Sequence, residues 1–131
     1  MKTLAAIVSA WAAMATGLGQ ETVRNEIERY SKIIEENPRN SEAHYHLGEI
    51  FFRQNNYQSA ANEFRESLSG DRKPAWTVVW SRINLGKIFD TTGQRERAIN
   101  EYKLAQETND NTRGALEEAA KYLKEPYQRK Q

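Results

Sequence analysis

The chain has 131 residues, with 19 Lys or Arg against 18 Asp or Glu and no cysteine. That length suits one small domain, and so even a charge balance leaves no electrostatic footprint for nucleic acid or anionic lipid. The missing cysteines exclude disulfides, thiolate metal sites, a thiol nucleophile and a lipoprotein-type anchor.

Residues 3–19 carry no charge, follow Lys2, and contain an Ala-rich apolar run from Leu4 to Ala15. Small residues follow at Ala15, Gly17 and Gly19 before the first acid, Glu21. A basic start, a short apolar run and a small-residue exit predict a secretory signal peptide over residues 1–19. The run is shorter than the ~20 apolar residues that a membrane span needs. The preferred cut follows Gly19, with cuts after Ala15 or Gly17 open. The alternatives are an uncleaved anchor or a hydrophobic first helix. Removing Lys2 with the leader would leave equal numbers of bases and acids, and no membrane attachment is expected afterwards.

Next, Val23, Ile27, Tyr30, Ile33 and Ile34 recur at helical spacing up to Asn37-Pro38, predicting one amphipathic helix stopped by the proline. Asn40 or Ser41 is placed to cap a second helix running to about Arg53. Gln54-Asn55-Asn56 breaks it, and a third helix opens at Tyr57 and ends near Leu68. Gly70 then stands where a left-handed turn closes helices. After the connector 70–74, Trp76, Val79, Trp80, Ile83, Leu85, Ile88 and Phe89 predict a long apolar helix, which Thr91-Thr92-Gly93-Gln94 ends. Ala98, Ile99, Tyr102 and Ala105 define its partner, to about Asn109-Asp110. A last helix, from about Thr112 to Leu123, places Ala115, Leu116, Ala119 and Tyr122 on one side. Residues 125–131 read as a flexible tail. No segment alternates with period two, so the expected fold class is all-α.

Two stretches repeat one spacing 38 residues apart. Residues 44–64 contain Leu47-Gly48-x2-Phe51, then Ala60-x3-Phe64. Residues 82–102 contain Leu85-Gly86-x2-Phe89, then Ala98-x3-Tyr102. A repeated spacing of this kind marks stacked helical hairpins. At these residues the chain resembles the tetratricopeptide repeat (TPR) family. The resemblance implies a short α-solenoid over residues 20–124. It divides into a half repeat (21–38), two full repeats (41–74 and 79–112) and a capping helix (112–124). Tyr30 and Pro38 keep the family's gap between helix-B aromatic and closing proline. The half repeat lacks its helix A: Ala13-Met14 stand where Leu-Gly belongs, and Gly17 and Gly19 interrupt the run. His44 and Arg82 replace the family's helix-A tryptophan, and the closing proline is absent or displaced to Pro74.

The resemblance further implies that Gly48 meets Ala60, and Gly86 meets Ala98, where helices A and B cross. Only small side chains let two backbones approach there. Leu47, Phe51 and Phe64 fill the first crossing, and Leu85, Phe89 and Tyr102 the second. It also implies binding by helix-A residues on the concave side: Glu42, Tyr45, Glu49, Phe52 and Arg53, then Trp80, Ile83, Asn84, Lys87 and Asp90. Tyr45, Phe52 and Trp80 are the aromatic candidates for anchors, with packing as their other reading. Trp80, one turn from Trp76 on the same face, leans toward locking the long connector down. The acids on this face disfavour capture of a terminal carboxylate.

Chemistry is sparse. His44 and His46 point about 200° apart on a helix and cannot chelate together. Glu42, His46 and Glu49 share a stripe, read as a solvated polar face, so no metal is expected. No metalloprotease, phosphate-loop or nucleophile-elbow motif occurs, so neither a cofactor nor enzyme activity is expected. The expected function is an exported module of a bacterial cell envelope, periplasmic or secreted, that docks a segment of another envelope protein. The alternative is a self-assembling unit that homodimerises through the open end beside the half repeat.

Overall fold

The computed structural model describes the backbone of residues 2–129 and the side chains of residues 19–129. Among the described residues six α-helices run in order: α1 (Lys2–Glu36), α2 (Ser41–Arg53), α3 (Tyr57–Ser69), α4 (Trp76–Thr91), α5 (Arg95–Glu107) and α6 (Ala115–Lys124). One 3₁₀ turn, Thr112–Gly114, leads into α6. There is no strand among the described residues. The fold is a short TPR-like helical solenoid. Helices α2 and α3 make one hairpin, α4 and α5 a second; α1 packs on α2, α3 on α4, and α5 on α6.

Several helix ends have a local cause. The Asn40 side chain accepts from Ala43 N at 2.9 Å and caps α2, and Asn56 does the same for α3 through Ser59 N at 3.3 Å. Asn55 and Gly93, in the two hairpin turns, take φ of 62° and 76°. Asn and Gly are the residues that occupy this left-handed region at least cost. At the α6 entrance, Arg113 and Gly114 (φ 56° and 72°) turn the chain.

Three sequence expectations change. Helix α1 continues unbroken through Gly17 and Gly19: glycine costs a helix roughly 1 kcal/mol relative to alanine, which the helix-favouring Ala and Leu around it offset. Gly70 is extended (φ −84°, ψ −146°) instead of left-handed. It is needed for a close approach, since a Cβ there would lie 2.5 Å from the Arg39 carbonyl oxygen and 2.6 Å from Ser41 Oγ. The segment expected to be a flexible tail is seated on the helices as far as Arg129; Lys130 and Gln131 lie outside the described residues.

The connector between hairpins is fastened by backbone and hydroxyl bonds. Ser41 Oγ donates to the Ser67 carbonyl at 2.6 Å, and Ser67 Oγ donates back to the Ser41 carbonyl at 2.8 Å, both buried. Ser41 Oγ also accepts from Arg72 N (2.8 Å), and Asp71 N donates to the Arg39 carbonyl (2.7 Å). Backbone N–H donors from Lys73 and Ser41 hold the exposed Asp71 carboxyl below its ordinary range.

Small residues let the hairpins close. Ala60, Ala98, Ala105, Ala115 and Ala119 are fully buried, and so are Phe64, Val79, Ile83 and Tyr102. Leu47, Leu85 and Phe89 are buried too, and Phe51 is half-buried against the core. Gly48 lies under the Phe64 ring, and Gly86 lies closer still under Tyr102.

Candidate functional site

The face that matters is built by α2 and α4, the first helix of each hairpin, with α6 beside α4. The ten residues the resemblance assigned to it divide sharply. Tyr45 and Ile83 are interior, 3% and 0% exposed, and are not available to a partner. The Tyr45 ring packs edge-on to Trp76 at 5.0 Å and tilts against Phe64 at 5.6 Å. Burial, with the Glu49 carboxylate nearby, pushes its hydroxyl well above the ordinary tyrosine range. Asn84 is buried and donates to that hydroxyl at 3.3 Å. Trp80 is half-buried, and its indole N–H donates to the Thr112 carbonyl at 3.0 Å. It fastens the entrance of α6, not the connector at residues 70–74.

Asp90 is likewise internal. Its carboxylate is 1% exposed and its Oδ2 accepts from Tyr102 OH (2.8 Å), Arg95 (3.0 Å) and the Tyr127 amide (2.9 Å). Arg95 also donates to the Leu123 carbonyl at 3.1 Å. One carboxylate thus joins α4, α5 and the segment after α6. Burial first, then the hydrogen bond to Asp90, raises the Tyr102 hydroxyl far above its usual range.

Five assigned residues escape full burial: Glu42 and Arg53 are exposed, while Glu49, Phe52 and Lys87 are half-buried. They form two clusters. At the start of α2, His46 bonds Glu49 Oε1 through Nδ1 at 2.9 Å and stands 3.6 Å from Glu42. Its ring stacks on Tyr30 at 5.3 Å and tilts toward Trp76 at 6.1 Å, and Arg113 lies over Trp76 at 4.9 Å. The hydrogen bond to Glu49 raises the His46 pKa, burial opposes it, and the charges of Glu49 and Glu42 add to the rise. Among the described residues no group of three metal-ligating side chains assembles.

At the far end of α2, Phe52 lies T-shaped on Tyr57 at 5.8 Å and tilts toward Tyr127 at 6.2 Å. Lys87 pairs with Glu118 at 3.4 Å and places its amine 5.5 Å from the Tyr122 ring and 5.2 Å from Tyr127. An open cleft of about 860 Å³ runs between Phe52, Arg53, Lys121 and Tyr122 and the segment 125–129. Burial raises the hydroxyls of Tyr122 and Tyr127 above the tyrosine range.

Sequence reasoning missed Trp76, Arg113, Tyr127 and Arg129 as members of these clusters. Proline beside an aromatic two residues before an arginine, Pro126-Tyr127-x-Arg129, was the available signal.

The arrangement offers a ribbed surface with aromatic, acidic and basic groups. Tetratricopeptide repeat family models match residues 27–75 and 81–112. The first begins inside α1 and runs through the first hairpin, and the second begins inside α4 and runs through α5. No curated protein matches the chain. Two matched repeats spanning most of the helical hairpins, with glycine under an aromatic ring at each crossing, place the chain in the tetratricopeptide repeat family.

Proposed function

We propose that the protein is an exported docking module that holds a segment of another cell-envelope protein against α2, α4 and α6. Repeats of this family form protein–protein interaction modules and are generally scaffolds, not enzymes. The observation that carries the reading is the open cleft that half-buried Phe52 and exposed Arg53 line, with Lys87 against its Tyr122 and Tyr127 walls and the acidic Glu42–Glu49 end on the same helix. Aromatic and arginine side chains of this kind dominate interface energies. Recognition works by shape and side-chain complementarity, with no cofactor and no catalysis. Export, to a bacterial periplasm or the medium, is inferred from the uncharged run 3–19 after Lys2.

Tyr45 cannot be used to test this, because its removal would open the core. A photo-crosslinking amino acid at Glu49, compared with one at Glu66 on the outer helix α3, tests it in cells. The expected result is a discrete protein adduct at Glu49 alone. Equal adducts at both positions, or adducts only at Glu66, would overturn it.

One observation favours a second reading, self-assembly. Val23 and Ile27 of α1 are only half-buried and line a second open cleft with Gln54. In that case sedimentation velocity gives a concentration-dependent dimer that Val23→Glu converts to monomer. A monomer at all concentrations removes this alternative.

A further inference from the structure

We propose that Pro126–Arg129 is a placeholder: it occupies, in cis, a seat for an extended protein segment that carries an aromatic residue and, two positions later, an arginine. A partner docks by displacing it. This rests on the reading of the α2–α4–α6 face as a docking surface, and it names the chemistry of the occupant and the way access is controlled.

The segment is bound as a peptide would be. The backbone is extended at Glu125 (φ −133°, ψ 134°). Exposure then alternates as in a strand: Pro126 and Gln128 face out, while Tyr127 and Arg129 are half-buried. The contacts are of three kinds. The Tyr127 amide donates to Asp90 at 2.9 Å, a bond that any residue other than proline could make. The Tyr127 ring meets Tyr122 edge-on at 5.3 Å and lies under the Lys87 amine. The Arg129 guanidinium donates to the carbonyls of Phe52 (2.6 Å) and Arg53 (2.9 Å) and stands 5.2 Å from the Phe52 ring.

Those two carbonyls belong to the last turn of α2, where helix ends carry partial negative charge; the Phe52 carbonyl also accepts from Asn55 N at 3.0 Å, so Arg129 adds a second donor there. The seat therefore wants a cation with several donors, which arginine supplies and lysine matches less well. Anchoring is shallow. Helix α6 is held by fully buried Ala115 and Ala119, whereas the segment after it has two half-buried side chains. It can leave while α6 stays.

A tethered segment of this length sits at an effective concentration of roughly millimolar. A competitor's apparent affinity falls by the fraction of seats left open. The test uses the full chain, wild type and Tyr127→Ala/Arg129→Ala, with a fluorescein-labelled peptide of residues 125–131 as the probe in fluorescence polarisation. Circular dichroism should show both chains equally helical. The double variant should bind the peptide about tenfold more tightly than wild type. A control peptide carrying Ala for both anchors should not bind the variant. In wild type, excess peptide should abolish hydrogen-exchange protection of the Tyr127 amide. Equal affinities, binding by neither chain, or a wild-type dimer that exchanges the segment between copies would each overturn the proposal. A crosslink at Glu49 without peptide binding retires the placeholder alone; absence of that crosslink retires the docking face.

Discussion

Gly48 lies beneath the Phe64 ring so closely that a Cβ would stand 2.8 Å from its Cε1, and Gly86 holds the same relation to Tyr102 with less room. Both rings are fully buried, so neither can swing aside. Gly48→Ala and Gly86→Ala set the gain in helix propensity, roughly 1 kcal/mol, against overpacking of about 1–3 kcal/mol. Gly86→Ala should be the more damaging. Tyr102 is pinned by its hydroxyl to Asp90 as well as by packing. Urea denaturation should show a net loss for Gly86→Ala exceeding that for Gly48→Ala; equal or reversed losses contradict this packing.

The serine pair between hairpins gives a second prediction. Ser67→Ala removes a buried donor to the Ser41 carbonyl and should destabilise by about 1 kcal/mol. Ser41→Ala should cost more, because Ser41 Oγ donates to the Ser67 carbonyl and accepts from Arg72 N. The double variant should lose less than the two single losses together, with a coupling of about 0.5 kcal/mol or more. Strict additivity would mean the two hydroxyls do not form one unit.

Asp90→Ala strands the Tyr102 hydroxyl and the Tyr127 amide and deprives Arg95 of its carboxylate. A loss of about 2–3 kcal/mol is expected from hydrogen bonds to a charged group. Limited trypsin digestion should also cleave after Arg129 faster than in wild type. Unchanged cleavage would show that Asp90 does not hold the segment.

The His46 cluster predicts a pH dependence. The folded-state pKa of His46 is raised above 6.5, first by the Glu49 hydrogen bond. The ion-pair contribution is therefore fully present below pH 6.5 and is lost as pH rises through the raised value. His46 and its partners are partly exposed, so the effect should be a few tenths of a kcal/mol to about 1 kcal/mol. Thermal melts between pH 5 and 8 should show a decline in stability as pH rises above 6.5 that His46→Gln abolishes. The same decline in His46→Gln would assign it to another group.

The repeat spacing was legible because its cause is local. A glycine, and an alanine thirteen residues from the preceding leucine, bring two helices to one crossing whatever the rest of the chain does, and the aromatic four residues on covers it. The cap of α2 is equally local, since a side-chain oxygen need only reach an amide three residues away; of the two candidates, Asn40 and Ser41, it is Asn40 that caps.

What the chain order could not supply was which helix-A residues remain uncovered. Position alone put Tyr45, Ile83, Asn84 and Asp90 on an open face. Trp76, in the first turn of α4, packs edge-on to Tyr45, and packing of α4 against α3 and α5 covers Ile83. Asp90 and Arg129 each meet partners more than 30 residues away. The amino-acid order alone determined helices, their pairing and the small residues at their crossings, because those follow from periodicity and size. Only the tertiary structure decided which side chains are free and that the segment after α6 lies in the groove, because both depend on contacts between distant elements competing for one surface.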